Sequence, residues 1–172
     1  MEQLILSMLK ITRLDTGNIL FDKQVCSVQE LIKNAISELT TRATQEKKQL
    51  IVNGTSNQIV ICDMDWTSEA IGNLVKNALD HTEAGGIIRI TWERTPTMLR
   101  ILVSDNGSGI ASEDIHHIFK RFYRSKYSLN TPGIGLGLPL AKSIIEGQGG
   151  LISVQSVLHE GTTFLISFLT KS

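Results

Sequence analysis

Two stretches of this chain alternate apolar and polar residues, pause at turn residues, and then alternate again. The first joins 86–95 (GIIRITWERT) to 98–107 (MLRILVSDNG) around Pro96; the second joins 150–157 (GLISVQSV) to 161–169 (GTTFLISFL). A period of two puts one set of side chains on one face of a strand. Two such runs separated by a few turn residues predict an antiparallel hairpin. Helix-like segments fall between the pairs, at 66–82 and from the glycine-rich stretch near 135 to about Glu146. A doubly wound parallel sheet needs strict strand–helix–strand alternation, and that is missing. The pattern predicts an α/β (α+β) two-layer sandwich, with a mixed, mainly antiparallel sheet and helices on one face.

The other elements are shorter. Leu4, Ile5, Met8, Leu9 and Ile11 recur with helical spacing over 1–14, and Gly17 and Asn18 end that helix. Ser27 and Glu30 form a capping box that opens a helix over 27–48. Short strands are predicted at 49–54 and 57–63, and Asp65 as the cap of the helix over 66–82. Another helix is expected at 112–122, followed by a polar loop at 123–132. The 172 residues suffice for one core plus a short appendage, and the helix break at Gly17-Asn18 divides 1–18 from 19–172. Lys+Arg and Asp+Glu balance at 17 each, so no net field recruits nucleic acid or an anionic membrane surface. Cys26 and Cys62 lie in no zinc-type spacing, and no apolar run is long enough to span a bilayer.

Three stations invite a nucleotide. The run 133–150, GIGLGLPLAKSIIEGQGG, sends a glycine loop into a helix whose N-terminus offers free N–H groups to an anion. It is not a P-loop, because Lys142-Ser143 follows Ala141, and it lacks the GxGxxG spacing of a dinucleotide fingerprint. On the helix over 66–82, Glu69, Asn73 and Asn77 stand four apart on one face that Asp80 and His81 extend. Asparagine is unfavourable in mid-helix, and its amide oxygen suits Mg²⁺ carrying phosphate oxygens; a solvated polar face is the plain alternative. Finally, Asp105 ends a strand at DNGSGI, where it can accept from an exocyclic amine, although DNG is also a common turn.

In their order, NxxxN, DxGxG, IFKRFYRS, GxGLGL and a late GT resemble the ATP-binding catalytic domain of sensor histidine kinases. This is the Bergerat-type fold shared with gyrase, heat-shock chaperones and mismatch-repair ATPases, and the resemblance covers roughly 25–170. It implies that Asn77 ligates Mg²⁺, with Asn73 near the metal and phosphates. It implies that Asp105 binds the adenine amino group, that Gly107 and Gly109 shape the base pocket, and that Ile110 walls it. Gly133, Gly135 and Gly137, with the N–H groups of Leu136 and Leu138, would wrap the phosphates. Thr162 would reach the adenine side. Arg124, at the base of the loop that acts as an ATP lid, is the candidate for the γ-phosphate and, with Asn73, for catalysis. Phe119 and Phe122 would anchor the lid base in the core. Relatives often carry a lysine and an aromatic where this chain has Asp80 and His81; His81 can still stack on or bond the nucleotide, and Asp80 has no assigned role.

Hydrolytic members of that fold use a glutamate as base for water at the place of Asn73, which cannot take up a proton. The resemblance therefore implies transfer from Mg-ATP to a histidine rather than to water. His116, His117 and His159 are expected to be structural or surface residues, so the acceptor should lie elsewhere. LILSMLKITRLDTG (4–17) resembles the end of the dimerisation and histidine-phosphotransfer bundle, which places the substrate histidine upstream of Met1. The implied partners are that upstream domain and a cognate response regulator, in a homodimeric, membrane-anchored bacterial sensor of which this monomeric part is cytosolic. An anti-sigma-type serine kinase, a non-catalytic nucleotide-binding module and a water-driven ATPase are the competing readings.

Overall fold

The computed structural model describes residues 2–128, 131 and 133–170. Strands β2 (Gln49–Gly54), β4 (Ile87–Arg94), β5 (Met98–Asp105), β7 (Gly161–Leu169) and β6 (Leu151–Val157) form one sheet in the order β2-β4-β5-β7-β6. Both expected hairpins are present as antiparallel pairs, β4 with β5 and β6 with β7, and β5 with β7 joins them. Only β2 with β4 is parallel. A small second sheet pairs β1 (Gln24–Ser27) with β3 (Ile59–Cys62). The two strands expected at 49–54 and 57–63 therefore exist, but they pair with other partners in different sheets.

The alternation read from sequence is the alternation of burial. Ile88, Ile90 and Trp92 of β4, Leu99, Ile101 and Val103 of β5, and Phe164, Ile166 and Phe168 of β7 all point into one core. Against that face lie α2 (Val28–Ile36), α4 (Met64–His81) and α5 (Gly137–Gly147). Leu31, Ile32, Ile71, Leu74, Leu79 and Ile144 supply the helical side. Each such side chain contributes about 1.5–3 kcal/mol when fully buried.

Three local expectations are corrected. The helix expected over 27–48 is two helices, α2 and α3 (Leu39–Gln45), and β1 precedes them. Ser27 still caps α2, its hydroxyl accepting from Glu30 N at 3.4 Å. The cap of α4 is Asp63, two residues before Asp65, with its carboxylate accepting from Trp66 N. Residues 112–122 form successive turns rather than a helix. There Asp114 N bonds to Ala111 O, His117 N to Asp114 O and Lys120 N to His117 O, all i to i−3 contacts. Of the polar loop expected over 123–132, Lys126–Ser128 form a short 3-10 turn, and 129, 130 and 132 lie outside the described residues.

One buried side chain sets the relation of α4 to α5. Gln148, just past the end of α5, accepts from Asp63 N at 2.7 Å and donates to Thr67 Oγ1 at 2.9 Å. The start of α4 is thereby pinned to the end of α5, so the helices run antiparallel and the first turn of α5 faces the later turns of α4. Helix α1 (Glu2–Asp15) packs on α5 through fully buried Ile11, and ion pairs Lys10–Glu69 (2.7 Å) and Asp15–Arg121 tie it down. The two cysteines are free and buried between the small sheet and the core; burial pushes the Cys62 thiol up to about 12.

Replacing Gln148 by Leu keeps the volume and strands the Asp63 N–H and the Thr67 hydroxyl. The expected loss is about 2–3 kcal/mol, read as a lower midpoint in urea unfolding with an unchanged slope.

Candidate functional site

The strand ends build one wall. Residues 99, 101, 103 and 105 of β5 alternate inward, so Asp105 is the last member of a core-facing row. Its neighbours across the sheet are Ile88 of β4 and Thr162 of β7, and Thr162 in turn faces Ser156 of β6. Half-burial pushes the Asp105 carboxyl above its usual range, and hydrogen bonds from the Gly107 and Thr162 backbones only partly offset this. Oδ1 of Asp105 accepts from Gly107 N at 2.9 Å. Ser156 Oγ lies 2.8 Å from Thr162 Oγ1 and accepts from Ile110 N at 2.7 Å, so it fixes the turn after β5 against the sheet. Ser156 carries no motif, and only the strand register reveals it.

The end of α4 closes onto that turn. Ser108 N donates to His81 O at 2.9 Å. A Cβ at Gly107 would stand 2.1 Å from the same carbonyl, so this approach requires glycine. His81 is mostly buried, and desolvation lowers its pKa; Asp80 opposes this and Arg124 adds to it. The imidazole is therefore neutral at neutral pH, with Arg124 among its neighbours. Asp80, at the cavity wall, pairs with Arg42 of α3 at 2.5 Å, and Arg42 also binds Glu46 at 2.5 Å. The residue left without a role by the sequence is thus a brace between α3 and α4.

The glycine loop forms the third side. Gly135 has φ +76, and a Cβ there would meet the Phe122 backbone at 2.8 Å. Phe122 N donates to Gly135 O at 2.9 Å, which ties the two ends of the lid segment together. Helix α5 starts at Gly137 with Leu136 at its N-cap and no side chain capping it. Its first turn keeps open N–H groups. A Cβ on Gly137 would lie 3.9 Å from the Asn73 amide carbon, so the two face each other across a narrow gap.

These pieces enclose a cavity of about 400 Å³. Its lining includes Asn73, Asn77, His81, Gly109, Ile110, Arg124, Gly133, Gly135, Leu136, Gly137, Leu138 and Thr162. Asp105 and Gly107 are not in the lining; they sit behind it, beside Thr162. Lys76 and Arg42 also line it, as do Gln3 and Ser7 of α1, none of which the motifs flagged. Phe119 packs edge-on to Phe164 as expected, but Phe122 is 54% exposed, so its backbone rather than its ring holds the lid base. Arg124 donates from Nη2 to Ser128 O at 2.6 Å and to Thr131 O, both in the lid. His116 and His159 are exposed and His117 stacks near Tyr123, in line with surface roles.

The chemistry of the donor set fits a magnesium nucleotide. Asn73 Nδ2 is buried without a hydrogen-bond partner in the described structure. It stands beside the uncapped turn of α5, where an anionic oxygen would satisfy both. Among the described residues no cluster of three or more His, Cys, Asp or Glu could hold a metal alone. An amide ligand such as Asn77 would leave most of the coordination sphere to phosphate and water, which Mg²⁺ favours.

Known proteins agree with this architecture. The family described as Histidine kinase-, DNA gyrase B-, and HSP90-like ATPase matches residues 62–172. Sensor protein SrrB of Staphylococcus aureus (strain MRSA252) is 30% identical over 168 residues, covering 96% of this chain and 29% of SrrB. This chain thus spans under a third of the length of the curated relatives it matches. Among solved structures, the Acinetobacter baumannii histidine kinase AdeS superposes with TM-score 0.83 at 21% identity, covering 99% of this chain and 79% of that one. The catalytic domain of histidine kinase ThkA superposes with TM-score 0.76 at 25% identity, covering 87% and 98%. The two-layer sandwich and the resemblance to histidine kinase catalytic domains are both borne out. By its matched residues and its fold, this chain belongs to the histidine kinase-, DNA gyrase B- and HSP90-like ATPase family, as a domain of the sensor histidine kinase type.

Proposed function

We propose that this domain binds Mg-ATP in the cavity between α4, the 105–110 turn and the glycine loop, and donates its γ-phosphate to a histidine on a separate helical dimerisation domain. The observation that carries the reading is the partnerless Asn73 amide facing the uncapped first turn of α5. When bound, the metal nucleotide supplies an activated phosphoryl group and neutralising charge. The chain's own residues hold and orient it. Asn77 takes the metal with Asn73 beside it, and the N–H groups around Gly135, Leu136, Gly137 and Leu138 take phosphate oxygens. Asp105, adjoining the cavity wall at Thr162, accepts from the adenine amine, Gly107 lets the turn approach His81, and Gly109 and Ile110 give the base its slot. His81, neutral, offers a flat edge to the nucleotide. Arg124, the guanidinium nearest the lid, compensates charge on the transferring group.

Water is a poor acceptor in this cavity. Asp80 is the one carboxylate among the described lining residues, and Arg42 engages it. Glu69 is engaged by Lys10, and Asn73 cannot take a proton. A histidine brought in from outside favours a kinase over a hydrolase. The ThkA kinase has been solved in complex with the response regulator protein TrrA, which supports a response regulator as the onward acceptor here. No helix among the described residues is long and apolar enough to cross a membrane; the proposed parent is a homodimeric sensor that presents this domain to the cytosol.

Supplying a histidine-containing bundle of the same kinase in trans with labelled ATP should place acid-labile label on histidine. Tight nucleotide binding with no label transferred would make the domain a regulatory binder instead. Asn77→Ala should remove the Mg²⁺ dependence of ATP binding in titration calorimetry while leaving the thermal midpoint near that of the parent. Asp105→Asn keeps the acceptor for Gly107 N but removes the charge. A carboxyl whose pKa is raised in the fold adds stability only at low pH and loses it as pH rises through that pKa. The Asn variant should therefore melt at or above the parent at pH 7–8. Its adenine nucleotide affinity should nonetheless fall about tenfold or more, the worth of a charge-assisted hydrogen bond.

A further inference from the structure

Asp114 lies outside the cavity, in the run of turns before the lid, and it is only 8% exposed. A buried carboxylate is costly unless its oxygens are hydrogen-bonded, and here both are. Oδ1 accepts from the Tyr123 hydroxyl and Oδ2 from the Ser125 hydroxyl at 2.6 Å. Those partners are the residues immediately before and after Arg124. Backbone bonds run on either side, from Tyr123 N to Lys120 O at 3.2 Å and from Ser128 N to Ser125 O at 2.9 Å. The guanidinium of Arg124 meanwhile reaches lid carbonyls and lines the cavity.

We propose that Asp114 is a positioning residue for Arg124: its carboxylate grips both flanking residues, which fixes the Arg124 backbone at the cavity rim within reach of a bound phosphate. The inference rests on the Mg-ATP reading above and adds to it a residue that touches no nucleotide. Hydroxyl donors from Ser125 and Tyr123 hold the Asp114 carboxyl below its ordinary range, with Lys126 and His117 adding to the effect, so the clamp is ionised at neutral pH. Its geometry is rigid because the two grips are one residue apart on each side. With its backbone fixed, Arg124 has only to turn its side chain from the Ser128 and Thr131 carbonyls when a γ-phosphate arrives.

The test uses the full chain. Asp114→Asn keeps the shape and one acceptor but loses the charge, so that Tyr123 and Ser125 can no longer both donate to it; Tyr123→Phe with Ser125→Ala removes both hydroxyls and serves if the first variant folds poorly. Hydrogen exchange without nucleotide should show faster exchange at 123–128 in either variant and unchanged protection in β5 and β7. Calorimetry with Mg-ATP and Mg-ADP should show the preference for ATP falling about tenfold, as in Arg124→Ala, with ADP affinity within about twofold of the parent. Asp114→Asn combined with Arg124→Ala should be no worse than Arg124→Ala alone. Faster exchange with the parental ATP preference retained would make the clamp merely structural and overturn the inference, as would unchanged exchange. A parent that binds neither nucleotide would overturn the Mg-ATP reading itself, and the inference with it.

Discussion

The arrangement of the site depends on one buried amide. Gln148 satisfies both a backbone N–H at the start of α4 and the Thr67 hydroxyl one turn later, from a position at the very end of α5. Because a side-chain amide has one acceptor end and one donor end, it fits this pair of groups in one orientation only. The two helices then run in opposite directions, the shorter α5 reaching back along α4 to its middle. That alignment brings Gly137, eleven residues earlier along the chain, opposite Asn73. Without it, the glycine loop and the asparagine face would still exist but need not meet.

The second constraint acts at the other end of α4. His81 O receives Ser108 N while Gly107 passes beneath it with no side chain in the way. The turn after β5 is thus hung from the helix and, through Ile110 N and Ser156 Oγ, from β6 as well. Both anchors are rigid elements. The third side is tied differently: Phe122 N donates to Gly135 O, and Arg124 spans to Ser128 and Thr131.

Much of this was legible beforehand. The period-two runs located β4, β5, β6 and β7 almost to the residue, because each has one face against the core and one toward solvent. The asparagine face of α4 was legible because helical spacing is a local property. The turns at 112–122 were misread as a helix, since Ile115, Ile118 and Phe119 have helical spacing that i to i−3 turns also satisfy. Asp63, not Asp65, caps α4: Gln148 Oε1 holds its backbone N–H, and Asp22 N donates to its carboxylate beside Trp66 N. Phe122 looked like a core residue by type, yet its backbone lies at φ +61 and turns the ring outward.

By itself the sequence determined the four strands of the two hairpins, the inward row that ends in Asp105, and the asparagine face of α4. These follow from periodicity and residue chemistry, which act over a few positions. Tertiary structure alone decided that β2 pairs with β4 and β3 with β1, that Asp80 braces Arg42, and that Ser156 and Asp114 support the cavity from behind. Those outcomes depend on contacts between segments far apart in the chain. Their partners are chosen by which buried donor or acceptor is left unsatisfied after the core has packed.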